Sequence, residues 1–167
     1  MKKTTLKGIA FGIIIGLVVS CKPKKEETVA TVIDKEKIKS ELQAMETVMA
    51  DAYNMGSAAS EEYYAEDATS FSQNKEPLVG KLAIDKSIKE DLESFQKGNV
   101  ISFSVNDVFP STDANQVVEI GSYKVVDSTN AIKYKGNYMS LFEKRNGKYV
   151  CTRDMGASDM PKEEKKK

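Results

Sequence analysis

Residues 132–155 read Ile132-Lys-Tyr-Lys-Gly-Asn-Tyr-Met-Ser-Leu-Phe-Glu-Lys-Arg-Asn-Gly-Lys-Tyr-Val-Cys-Thr-Arg-Asp-Met155. Tyr134, Gly136, Tyr138, Ser140 and Phe142 fall on one face at period two, which is the pattern of a strand. Asn146-Gly147 then fits a two-residue type I′ turn, because both of its central residues need positive φ. The stretch is therefore a hairpin, with strands over 132–145 and 148–155. Working upstream, Val117–Val126 is another strand, in which Gly121 marks a bulge or bend. Ile101, Phe103 and Val105 alternate with Ser102, Ser104 and Asn106 in a third, half-buried strand. Pro110-Ser111-Thr112-Asp113 and Asp127-Ser128-Thr129-Asn130 supply the turns between them.

Before Gly98 the period is helical. Ile38, Leu42, Met45, Met49, Ala52 and Tyr53 share one face at period 3.6, with Asp34 placed to cap the start and Gly56 to end it. A short second helix is expected over Ala59–Tyr64. A third follows Gly80, with Ile84, Ile88, Leu92 and Phe95 on one stripe and Gly98 as its stop. Helices first and then a run of antiparallel strands predict an α+β fold: about three N-terminal helices packed on an antiparallel sheet.

The chain begins with Lys2, Lys3 and Lys7, an apolar run from Ile9 to Val19, and Ser20-Cys21. A basic start, a short apolar stretch and a small residue at the junction make a secretory signal. Val18-Val19-Ser20-Cys21 resembles the lipobox of bacterial lipoproteins, which implies that Cys21 is lipidated on sulfur and begins the mature protein. The competing reading is a transmembrane anchor. As a helix the run spans only about 17 Å, and a bilayer core needs about 20 apolar residues. Lys22 is not the aspartate that favours inner-membrane retention in that family, so the outer membrane is expected. Lys25-Glu26-Glu27 resembles a surface-export tag of some Bacteroidetes lipoproteins, and reads equally as an ordinary charged linker. The organisation is then a signal over 1–20, a lipidated tether over 21–33, one domain over 34–160, and a charged tail over 161–167 expected to be disordered.

The full chain balances 25 basic against 25 acidic residues, but residues 28–160 hold 15 basic and 21 acidic, a net charge of −6. A nucleic-acid partner is not expected from such a domain. With Cys21 committed to lipid, Cys151 is the only thiol, and no intrachain disulfide can form. The chain has no histidine. That removes the usual zinc sets, the Ser-His-Asp and Cys-His nucleophile systems and the commonest general base. No calcium loop of the Asp-x-Asp-x-Asp-Gly kind occurs. Neither a metal nor a cofactor is implied.

Three phrases, in order, resemble the nuclear-transport-factor-2-like superfamily, which includes the SnoaL-like polyketide cyclases. They are Tyr64-Ala65-Glu66-Asp67-Ala68-Thr69, then Pro77-Leu78-Val79-Gly80-Lys81-Leu82-Ala83-Ile84, then Gly136-Asn137-Tyr138 through Arg145-Asn146-Gly147-Lys148-Tyr149-Val150. The resemblance covers about residues 36–158. It implies a cone: a strongly curved sheet on helices, with a pocket at the open end, and by analogy a homodimer through the sheet. Ketosteroid isomerases of this superfamily need an aspartate base, a tyrosine and a protonated acid. The matching positions fall near Ser72, Met49 and Tyr138, and none carries the required residue. A serine without a base cannot abstract a carbon-bound proton at neutral pH.

Met49, Tyr53, Tyr64, Phe71, Tyr123, Tyr138 and Phe142 are the candidate pocket residues, in competition with plain core packing. Asp154 is the one candidate acid, and Arg153 beside it must face the other way. If Asp154 merely pairs with a cation, its pKa should be lowered; as a buried base it should be raised. Glu66-Asp67 is expected to cap a helix or close a turn, and Cys151 to be a small core residue. The expected function is a non-enzymatic envelope lipoprotein binding a small hydrophobic ligand or a protein partner. The alternative is a SnoaL-like lyase, cyclase or isomerase working through carboxylates.

Overall fold

The computed structural model describes residues 33–57 and 62–159. The signal, Cys21, nearly all of the tether and the 161–167 tail lie outside the described residues. Two helices and six strands follow in chain order: α1 (Lys35–Asn54), β1 (Tyr64–Ser72), β2 (Leu78–Val79), α2 (Lys81–Ser94), β3 (Val100–Pro110), β4 (Gln116–Val126), β5 (Ile132–Arg145) and β6 (Lys148–Ser158). The sheet order is β2-β1-β6-β5-β4-β3.

Two expectations change. The sheet is mixed, because β1 runs parallel to β6, with Tyr64 opposite Cys151 and Ser70 opposite Asp154. The other pairings are antiparallel. Two helices are described where about three were expected. Glu62 and Tyr63 form a turn and Tyr64 opens β1, while residues 59–61 lie outside the described residues. The sequence there favours a helix locally, but the Cys151 N–H donates to Tyr63 O (2.8 Å) and Tyr63 is buried in the core. Tertiary pairing overrides propensity.

The hairpin turn has the predicted geometry, with φ +54° at Asn146 and +83° at Gly147. The expected bulge near Gly121 sits on the partner strand: Val105 faces Gly121 and Asp107 faces Ile120, leaving Asn106 as the extra residue.

Helix α1 starts as predicted, with the Lys37 N–H donating to Asp34 Oδ1 (3.0 Å). It lies across β3, which is the sheet's edge. There Gln43 and Asn54 satisfy the backbone groups that an edge strand leaves open. Gln43 Nε2 donates to Phe103 O (3.2 Å) and its Oε1 accepts from the Val105 N–H (2.9 Å). Asn54 does the same with Ile101, at 3.0 and 2.8 Å. Beneath α1, Leu42, Phe142, Tyr149, Cys151, Val108 and Val117 form the main core. A smaller cluster of Ala65, Ala68 and Ile84 seats α2 on β1. Among the described residues no helix is long and apolar enough to cross a membrane.

Candidate functional site

The inner face of the sheet carries Glu119, Gly121 and Tyr123 on β4, Gly136, Tyr138 and Ser140 on β5, and Asp154 and Gly156 on β6, in register across the three strands. The two glycines on β4 and β5 make room. A Cβ on Gly121 would collide with the Tyr138 ring, and one on Gly136 with the Tyr123 ring and the Ala157 carbonyl. Tyr138 can therefore lie back along β4, where its hydroxyl donates to Glu119 Oε1 (2.7 Å).

Between this face and α1 lies a cavity of about 310 Å³. Its aromatic lining is Tyr63, Tyr64, Phe71, Phe103, Tyr123 and Tyr138; its acids are Glu46, Asp91 and Asp154. Through Ser72, Asp91, Ile101, Tyr123 and Gly156 it adjoins a wider mouth of about 620 Å³ lined by Tyr53, Phe95 and Tyr134. Tyr53 and Phe95 meet edge to face there, their centroids 5.0 Å apart.

Met49, Tyr64, Phe71, Tyr123 and Tyr138 of the candidate set line the cavity, and Tyr53 lines its mouth. Phe71 stands at the rim. It is in register with Met155 and also borders a shallow apolar depression shared with Met139 and Leu141. Phe142 is corrected to a core residue: it is fully buried, edge-on to Tyr63 at 5.6 Å, and does not line the cavity. Cys151 is fully buried, as expected, and burial pushes its thiol well up. Glu66 and Asp67 are corrected as well. Within β1 they reach other elements, Asp67 Oδ2 accepting from Arg145 Nη2 (3.1 Å) and Glu66 lying 3.6 Å from Lys81 Nζ.

Asp154 faces in, and Arg153 faces out, donating to Asp67 O (3.2 Å). Among the described residues no cation pairs with Asp154. The Tyr64 hydroxyl donates to its Oδ2 (2.6 Å), while Oδ1 is buried and has no hydrogen-bond partner among the described residues. Burial raises its pKa; Ser70, Tyr64 and the Phe71 N–H hold part of that rise back. The ion-pair expectation, which required a lowered value, is overturned.

Two further acids were missed in the sequence. Glu46 of α1 is 2% exposed and Glu119 of β4 is 0% exposed. Burial and the neighbouring charge of Glu119 push Glu46 up to about 8. Burial also raises Glu119, to about 7, against hydrogen bonds from Tyr138 and Glu46 that lower it. The opposite effects of their mutual bond fit one shared proton, carried on Glu46 and donated to Glu119. Among the described residues no hydroxyl or amide reaches Glu119 Oε2. The Tyr63 hydroxyl donates to Glu46 Oε1. The signals were present. Glu46 stands at i+4 from Leu42, and Glu119 lies between Val117 and Gly121 at period two. A glutamate in either pattern reads as a solvated position.

No protein-family model matches the sequence, and no curated protein matches it. Solved structures do match. A Nostoc punctiforme domain of unknown function with a cystatin-like fold is 15% identical, with 78% of this chain and 82% of that chain covered and a TM-score of 0.64. A Shewanella oneidensis NTF2-like protein of unknown function is 15% identical over 70% of this chain and 96% of its own, with a TM-score of 0.55. The fold is an NTF2-like, cystatin-like cone. A third neighbour, from Novosphingobium aromaticivorans and named as a candidate scytalone dehydratase, is 16% identical over 75% and 86%, with a TM-score of 0.62. At such identities the likeness extends to the fold alone.

Proposed function

We propose that this is a bacterial envelope lipoprotein, lipidated at Cys21 and carried on the 21–33 tether, whose NTF2-like domain binds a small molecule with an apolar body. The observation behind the binding half is the cavity. Protein interiors pack at crystal-like density and seldom leave space larger than a water, yet about 310 Å³ remains open among six aromatic residues. The lipobox motif and Lys22 support the envelope half, with the outer membrane as the destination. Native mass spectrometry of the chain from its own host tests the binding. A retained small molecule that leaves on unfolding is expected, and the same spectrum reads out the homodimer. Consistently ligand-free spectra, with no small molecule binding on addition, would overturn it.

A second reading rests on Asp154. A buried carboxyl beside Tyr64, held above its ordinary pKa by burial, is equipped for acid–base work. A lyase, cyclase or isomerase step through Asp154 is the form that reading takes, and elimination of water is the chemistry suggested by the name of the third neighbour. Carboxyl titration by NMR separates the two. Under the catalytic reading, Asp154 titrates above the ordinary aspartate value of 3.8 and Asp154→Asn abolishes turnover of the retained molecule. Retained turnover in that variant rejects it.

A further inference from the structure

We propose that Gly121 and Gly156 are specificity-determining residues of the cavity: they fix on which side of its row the Tyr138 ring lies, and so set the size of ligand admitted. This rests on the small-molecule reading and adds the ligand's size class, up to about two fused rings.

Tyr138 of β5 stands in register between two glycines, Gly121 of β4 and Gly156 of β6. All three positions face inward, so the ring has a bare strand on either side. It lies over Gly121. There its hydroxyl donates to Glu119 Oε1 (2.7 Å), and the Phe103 ring meets it edge to face at 5.9 Å. A Cβ on Gly121 would stand 2.1 Å from Cζ of the Tyr138 ring, far inside contact distance. The other side is empty. Among the described residues, a Cβ on Gly156 would meet no atom within 4 Å. Gly156 lines both the cavity and its mouth, so the empty side is where the two adjoin.

The fold gives no reason for glycine at 156. Its φ is not positive, no described neighbour occupies the place of a Cβ, and glycine weakens a strand interior. Gly136 differs, since a Cβ there would stand 2.2 Å from the Ala157 carbonyl oxygen, which is backbone. What the missing side chain at 156 does is leave space. A dry cavity of about 150 Å³ takes one benzene ring. The cavity of about 310 Å³, with Tyr138 drawn back over Gly121, therefore suits about two fused rings. A Tyr138 ring pushed across to the Gly156 side fills roughly one ring's worth of that space and leaves room for one.

Calorimetric titration of the full chain with benzyl alcohol and 2-naphthylmethanol tests this with two neutral probes that differ by one fused ring. The unaltered chain is expected to bind the naphthyl probe about tenfold more tightly, because the second ring buries further apolar surface. Gly121→Ala pushes Tyr138 across, and Gly156→Val fills the empty side directly. In both variants the naphthyl probe should fall to the level of benzyl alcohol or below. Adding Tyr138→Ala to Gly121→Ala should restore the preference, which a general loss of stability would not do. Should Gly121→Ala not fold, Gly156→Val decides, since its side chain enters open space. An unchanged preference in either single variant overturns the assignment, and so does a folded double variant that stays indifferent. Equal affinity for the two probes in the unaltered chain overturns the size class and leaves the pocket reading standing. No binding by either probe also overturns it, and the host-purified mass spectrum then judges the pocket separately.

Discussion

Glu46 and Glu119 are the residues on which the interior chemistry turns, and their protonation sets a direction for stability. Glu46 is raised from 4.5 to about 8 in the folded chain. The folded state therefore holds a proton between those values that the unfolded chain has already released. By linkage, stability is fully present below about 4.5 and declines as pH rises toward 8. At about 1.4 kcal/mol per pKa unit, the loss is a few kcal/mol. Melting temperature is expected to fall between pH 5 and pH 8, and Glu46→Gln to flatten that slope, since an amide donates to Glu119 at every pH. Parallel wild-type and variant melting curves across that range would exclude the shared proton. The turn acids run the other way. Asp113 is held down to about 2 by Ser111 and Asn115, and Asp127 is lowered by Thr129. They contribute nothing to the decline at neutral pH.

At the scale of elements, local pattern was legible wherever one face of an element met the core. The period of α1, its Asp34 cap, the Asn146-Gly147 turn and the inward row of Gly136, Tyr138, Ser140 and Phe142 could all be read in the chain. The parallel pairing of β1 with β6 could not, because Tyr64 and Cys151 lie far apart in sequence and neither marks its partner. The buried acids were hidden for the same reason: Asp154 of β6 meets Tyr64 of β1, and Glu46 of α1 meets Glu119 of β4. The α1 stripe was slightly misplaced. Glu46 and Ala50 are buried on it, whereas Met45, Ala52 and Tyr53 are only half-buried. Leu42, with no exposed surface, sits at its centre. Leu42→Asp puts an unpaired charge in that core and is expected to cost about 4 kcal/mol or more. Glu41→Ala, on the exposed side, is expected to stay within about 0.5 kcal/mol. Denaturant melts of the two variants check this, and equal midpoints would remove α1 from the core.

For the whole molecule, the open question is what would hold an acidic domain at a membrane. A net charge of −6 over residues 28–160 repels an anionic lipid surface. The four lysines among residues 162–167 supply a local attraction only. A lipid on Cys21, as proposed, would do what charge cannot. One acyl chain binds a membrane marginally and several bind it stably, so the number of chains added at Cys21 would set how firmly the proposed lipoprotein is held. Cys21→Ser is expected to lose incorporation of labelled fatty acid completely. Fractionation alone is a poorer judge, because an uncleaved apolar run from Ile9 to Val19 can keep the chain on the membrane without any lipid. The label is therefore the deciding measurement, and a variant that still takes it up would place the lipid on another residue.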